Sequence, residues 1–252
     1  MKVIACYNVK GGVGKTATAV NLGHCSASEG YRTLVWDLDP QGAATFYFRI
    51  KPRIKGGGKK LVRGKTALAD RIKATDYRGL DLLPADPSYR HMDLILGRER
   101  KPAKRLAALL ASLEDEYDQV ILDCAPTLSL VTEAVFNAAD ALIIPLIPTP
   151  LSLRAYSQIL DFRKRKGSER PILIPFFSMV DRRKRIHRHI VETLPDRYPA
   201  FPRVEIPCCA EVERMGELRA PVAAFARNSR VVSAYNNLWA TIVARTGGAS
   251  EI

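Results

Sequence analysis

Near the N-terminus the run KVIACYNVKGGVGKTATAV, residues 2–20, passes from an apolar, β-branched stretch through a glycine turn directly into a helix-forming stretch. No other feature narrows the fold as much. A strand that ends in G-x-x-G-K-T and enters a helix without a spacer is a phosphate-binding loop. Its glycines let successive backbone N–H groups point inward at phosphate oxygens, and the helix N-terminus adds partial positive charge. Lys15 can reach the outer phosphates, and the Thr16 hydroxyl can ligate Mg²⁺.

The rest of the chain extends this unit. The runs KVIACYN, YRTLVWDLD, GLDLLPA, YDQVILDCAP, ALIIPLIP, RPILIPFFSMV and RVEIP are strand candidates. Several are continuously apolar, the pattern of parallel strands covered on both faces. Helical length and composition alternate with them at residues 15–29, 103–116, 130–138, 153–166 and 183–194, and Gly30 is placed to stop the first helix. This alternation predicts an α/β fold, a mostly parallel sheet with helices on both faces. At 252 residues and 47% hydrophobic, the chain fits a single domain over residues 1–252. A glycine-rich basic stretch at about 49–65 is expected to be a mobile surface loop, and residues from about 245 to 252 a short tail. The five cysteines include no C-x-x-C pair and no zinc-like spacing, which argues against a disulfide framework or a metal site and for a reducing cytosol. No apolar run approaches the roughly 18 residues of a spanning helix, so a soluble protein is expected.

Lys10, Gly11 and Gly12 complete the spelling K-G-G-V-G-K-T, which resembles the deviant Walker A motif of the ParA/MinD family of P-loop ATPases. In family order, LVWDLDPQGAAT is similar to the second acidic motif and QVILDCAP to the Walker B strand, and weaker similarity continues to about Val243. The resemblance implies ATP and Mg²⁺ as cofactors, with Lys10, Gly11, Gly12, Val13, Gly14, Lys15 and Thr16 binding ATP and Met179 and Pro207 lining the adenine site. It assigns catalytic roles to Lys10, Lys15 and Asp39. Lys10 reaches across a dimer interface to the partner's nucleotide, and Asp39 positions the attacking water. Thr16 holds the metal directly and Asp123 through water. Asp37 either supports the metal shell or begins a turn. Pro40, Gln41 and Gly42 fit a segment that senses the γ-phosphate, while Ala43 departs from the asparagine common there.

The charge balance adds a partner. Thirty-nine Lys and Arg against 26 Asp and Glu give +13, more than a nucleotide site needs. Basic clusters at 51–65, 163–170 and 182–188 suit a polyanion, and DNA bound without sequence preference is expected. In the resembling family, residues near the C-terminal end contribute. Arg227 and Arg230 occupy that region here, whereas Glu211 stands where relatives tend to carry arginine. The resemblance therefore implies a cytoplasmic, nucleoid-associated ATPase. It forms an ATP-sandwich homodimer, binds DNA non-specifically and positions a plasmid, chromosome or large assembly such as a carboxysome. An adaptor or activating partner stimulates its slow hydrolysis. The alternatives are a MinD-like membrane-attached ATPase and a metabolic ATP-dependent ligase or iron-sulfur reductase of the same superfamily. The tail ARTGGASEI lacks the apolar face a membrane helix would need, so no membrane partner is expected.

Overall fold

The computed structural model describes residues 1–64, 67–166, 170–198 and 201–247. Its strands are β1 (Lys2–Cys6), β2 (Thr33–Asp37), β3 (Lys73–Ala74), β4 (Leu80–Leu83), β5 (Gln119–Asp123), β6 (Ala141–Leu146), β7 (Ile172–Val180) and β8 (Glu205–Pro207). They form one eight-stranded sheet in the order β3-β4-β2-β5-β1-β6-β7-β8. Only the two-residue edge strand β3 runs antiparallel to its neighbour. The seven sequence-predicted strands are all present, each trimmed by a few residues at its ends. β3 is too short, and exposed on both residues, to leave a hydrophobic signature.

The helices are α1 (Lys15–Ser28), α2 (Ala43–Tyr47), α3 (Gly57–Val62), α4 (Met92–Leu96), α5 (Arg105–Leu110), α6 (Leu130–Ala138), α7 (Pro150–Lys166), α8 (Arg185–Arg197), α9 (Ala210–Leu218), α10 (Val222–Phe225) and α11 (Arg230–Arg245). Gly30 adopts a φ of 93° just beyond α1 and ends it, as its position in the sequence predicts. Helix α6 has its predicted bounds, set by a capping box in which Ser129 and Thr132 satisfy each other's backbone N–H groups.

Alternation along the strands divides the core into two layers. Leu34, Trp36, Val120 and Leu122 face one layer, which is filled by Leu109 and Leu110 of α5, Val135 and Phe136 of α6, and Ile159 of α7. Ile4, Val35 and Ile121 face the other, where Leu22 of α1 meets Leu238, Trp239 and Ile242 of α11. Among the described residues no helix is long and apolar enough to cross a membrane.

The stretch at 49–65 corrects the expectation of a mobile loop. It contains α3, and Ile54, Leu61 and Val62 are buried in the core beneath its basic surface. Three apolar anchors hold the segment down, and Arg105 at the start of α5 donates a hydrogen bond to the Val62 carbonyl. Lys65 lies outside the described residues, as does the end of the predicted tail, residues 248–252.

Candidate functional site

Strands β2, β5 and β1 lie side by side and end together. Asp37 pairs in register with Asp123, and Asp123 with Cys6, so two carboxylates and the start of the glycine loop meet at one edge of the sheet. This is the carboxyl end of a parallel sheet, where α/β folds bind ligands.

The loop leaving β1 is held at both ends. Asn8, fully buried, donates from Nδ2 to the Pro145 carbonyl at 2.8 Å, and its Oδ1 accepts the Lys10 N–H at 2.9 Å. Gly14 precedes α1 at a φ of 91°, and a Cβ there would lie 2.9 Å from the Ser178 Oγ. Both its backbone angle and its neighbour therefore exclude a side chain. Val13 is fully buried, whereas Gly11 and Gly12 are exposed, so the turn is anchored on one side and open to solvent on its glycine side.

Lys15 is buried, and its Nζ donates to the Lys10 carbonyl at 3.1 Å, folding the side chain back over the loop. Burial lowers its pKa, while the nearby carboxylates of Asp123 and Asp39 favour the charged form. The Lys10 side chain is half-buried and makes no hydrogen bond or ion pair among the described residues.

The acidic residues differ in how they are satisfied. Asp37 is fully buried, and its Oδ2 accepts both the N–H and the hydroxyl of Thr45, at 2.8 and 2.7 Å. Its Oδ1 accepts the Asp39 N–H at 3.2 Å. Burial pushes its pKa up to about 6 in spite of these bonds. Asp123 is also fully buried, yet neither of its carboxylate oxygens has a hydrogen-bond partner. Burial, with Asp37 close by, raises its pKa well above the usual carboxylate range, and the neighbouring Thr16 hydroxyl pulls the other way without reaching hydrogen-bond geometry. A buried carboxylate without donors is costly unless a cation neutralises it. With Thr16 one residue past Lys15, the donor set is oxygen-only and suits a hard divalent cation. Asp39 is half-exposed at the mouth, where its Oδ1 accepts the Gln41 N–H at 2.9 Å.

Next to the loop lies a cavity of about 230 Å³ whose lining includes Gly12, Gly14, Ser178, Met179, Pro207 and Tyr235. Met179 and Pro207 thus share one hollow with the glycine loop, although they are distant from it in sequence. Met179 takes a left-handed φ of 54°, uncommon for a side chain of its size, and is 38% exposed. Sequence reasoning missed Asn8, Thr45 and Ser178. For Asn8 a signal existed, because asparagine at the end of a strand commonly bonds the backbone two residues on. Thr45 and Ser178 act through contacts that only the fold creates.

Arg227 and Arg230 are both exposed, at the turn before α11 and at its first residue, and none of the hydrogen bonds described above involves them. Glu211 sits beside them, accepting the Ser229 hydroxyl at 3.0 Å, and its carboxyl is held below the usual range by its own backbone N–H and Ser229, with Arg230 contributing.

A strand, a glycine loop closing over the first turn of a helix, and a buried carboxylate on the adjacent strand define a P-loop ATPase fold. Residues 1–169 match the AAA domain family. Over 196 residues the chain is 34% identical to the sporulation initiation inhibitor protein Soj of Bacillus subtilis, covering 76% of this chain and 78% of that protein. Among solved structures, cobyrinic acid a,c-diamide synthase from Mycobacterium smegmatis, with bound ADP and magnesium, superposes with a TM-score of 0.79 at 27% identity, covering 99% of this chain and 97% of that one. A putative plasmid partition protein of Borrelia burgdorferi, bound to AMPPNP, shares the fold with a TM-score of 0.82 at 20% identity, covering 97% and 99%. The chain belongs to the ParA/MinD family of P-loop ATPases.

Proposed function

We propose that the chain is a ParA-type positioning ATPase that binds ATP and Mg²⁺, dimerises around two nucleotides, and attaches to DNA in that state without sequence preference. The observation that carries this reading is Lys10. It is a second lysine on the phosphate loop, its backbone is fixed by Asn8, and its side chain is uncommitted among the described residues. A lysine not needed by its own loop is available to the nucleotide of a second copy, which makes charge neutralisation conditional on dimerisation.

Within one subunit, the N–H groups of Gly11 to Lys15 cradle the phosphates, and Lys15 leaves the Lys10 carbonyl to meet them. Thr16 and, through water, Asp123 would hold Mg²⁺, which would supply neutralisation of phosphate charge at this site. Asp39 orients the attacking water. Asp37 anchors α2 through Thr45, so Pro40, Gln41 and Gly42 form a short bridge between two fixed points that responds to the γ-phosphate. Met179 and Pro207 line the adenine site. Arg227 and Arg230 bind DNA phosphates, with Glu211 reducing the positive field beside Arg230. Hydrolysis is slow, is accelerated by a partner protein, and releases the dimer from DNA in the cytoplasm, so that a cargo is moved or spaced.

The test is light scattering with a slowly hydrolysed ATP analogue. Wild-type protein should double in mass and Lys10→Ala should remain at its starting mass. A Lys10→Ala protein that dimerises like wild type would remove the sandwich role. The dimer should bind unrelated duplexes equally. Its log-log salt slope should fall by about 0.9 for each DNA phosphate that an Arg227→Glu/Arg230→Glu variant no longer neutralises.

A second reading follows from the likeness to cobyrinic acid a,c-diamide synthase, a protein named for making a diamide of an acid. Under it the chain would use ATP to activate the carboxyl group of a small acid. Phosphate release that depends on an added carboxylic acid and is indifferent to DNA would favour it.

A further inference from the structure

A cleft of about 590 Å³ opens at the outer edge of the sheet, and it shares no lining residue with the hollow beside the phosphate loop. Two separate segments supply its cations. Lys51, Arg53 and Lys55 come from the turn before α3, and Arg71 and Lys73 from the stretch entering β3. None of the five forms a salt bridge among the described residues. The Nε of Arg71 is buried without a hydrogen-bond partner.

Two carboxylates, Asp70 and Asp86, share the lining. Asp86 is already committed: its Oδ2 accepts the Ile54 N–H at 2.8 Å, and its Oδ1 accepts the Ser88 N–H and hydroxyl at 2.9 and 2.6 Å. It holds the wall of the cleft in place and leaves a net excess of cations converging on one space. Asp86 also offsets part of the Arg53 charge, but five cations against two carboxylates remain in excess, and an anion with charges spaced along its length relieves that excess at once. Guanidinium and ammonium groups together favour phosphate oxygens. The shape narrows the class further. A DNA duplex presents its phosphates on a convex rod and needs a broad basic face, whereas a concave cleft of this size encloses a compact ligand.

We propose that this cleft binds a chain of linked phosphates, as free condensed phosphate or as the phosphate tail of a nucleotide, at a site separate from the phosphate loop. The site stands independently of the ATPase reading, because no residue of it belongs to the loop. Its test is calorimetric titration of tripolyphosphate into the full chain pre-saturated with ADP, so that the phosphate loop is already filled. One equivalent should bind. Lys51→Gln/Lys73→Gln removes two exposed ammonium groups without touching the core and should weaken binding about tenfold or more, as should Arg71→Gln. Lys59→Gln/Arg63→Gln removes equal charge from a different hollow and should change it less than about twofold. Displacement of tripolyphosphate by excess GTP would identify a nucleotide tail as the source, and its persistence a free phosphate chain. The proposal is overturned if no tripolyphosphate binds or if both double variants weaken it equally. It is also overturned if Lys51→Gln/Lys73→Gln loses duplex DNA while retaining tripolyphosphate, which would make the cleft a nucleic-acid surface.

Discussion

Asp37 and Asp123 stand opposite each other on neighbouring parallel strands, and both are wholly buried, yet they differ in what surrounds their oxygens. Asp37 accepts three hydrogen bonds, two of them from Thr45. Asp123 accepts none. Residue type and burial therefore do not separate the two carboxylates, whereas the inventory of donors does. A buried carboxylate that the protein satisfies belongs to the architecture, and one that it leaves unsatisfied is set for something brought from outside.

The largest effect that could break this comparison is on activity. Asp123→Asn should reduce Mg²⁺-dependent ATP hydrolysis about a thousandfold, because several kcal/mol of metal-assisted charge stabilisation is lost. The same change should raise the thermal stability of the nucleotide-free protein, since it removes a buried carboxylate that no hydrogen bond satisfies. Measuring both on one preparation is decisive: an Asn variant that hydrolyses normally, or that melts lower than wild type, contradicts a metal-awaiting Asp123. Asp39→Ala provides the neighbouring contrast. Its carboxylate is half-exposed and bonds only the nearby Gln41 N–H; if its proposed task is to orient the attacking water, single-turnover hydrolysis should fall about a hundredfold while ATP affinity is retained.

A smaller effect is the pH dependence of stability. Both buried carboxylates have folded pKa values above their unfolded ones, so the folded state holds more protons between the two values and loses stability as pH rises through that window. For Asp37 the window runs from the ordinary carboxylate value of 3.8 to about 6, worth roughly 3 kcal/mol. Nucleotide-free wild-type protein should therefore melt lower at pH 7 than at pH 5. Asp123→Asn should show a shallower fall, because one of the two groups is gone. A melting temperature that climbs across this range in wild type would mean that the two carboxylates do not govern it.

The difference between the two aspartates also marks what could be read from the chain beforehand. The parallel sheet, the glycine loop and the clustering of Lys15, Asp39 and Asp123 were legible, because continuous apolar strands and a glycine turn at a strand–helix junction leave few alternatives. Asp37 stayed ambiguous between metal shell and turn because its partner Thr45 is eight residues away on a helix too short to leave a periodic signal. The stretch at 49–65 read as a loop because its lysines and glycines outnumber Ile54, Leu61 and Val62, three anchors that mean nothing until the core they enter exists. Helix α11 is a different matter. Val231, Tyr235, Leu238, Trp239 and Ile242 fall at helical spacing, and the pattern was available in the sequence.

The smallest effect isolates one hydrogen bond. Thr45 donates its hydroxyl to Asp37 and with the same oxygen accepts the Ala85 N–H at 2.9 Å, so one side chain joins the end of β2 to the residues after β4. Thr45→Val keeps the shape and the backbone N–H bond to Asp37 but removes the hydroxyl. The Ala85 N–H is left without that acceptor, and the Asp37 Oδ2 keeps a single donor. The loss should be about 1–3 kcal/mol, read as a lowered denaturation midpoint with an unchanged slope. Mg²⁺ affinity should not change, because Asp123 gains and loses nothing. If Thr45→Val weakens the metal while leaving stability intact, Asp37 is a ligating residue and the contrast between the two aspartates disappears. A stability loss confined to the fold, with metal binding preserved, assigns the two carboxylates to different tasks within a single line of strand ends.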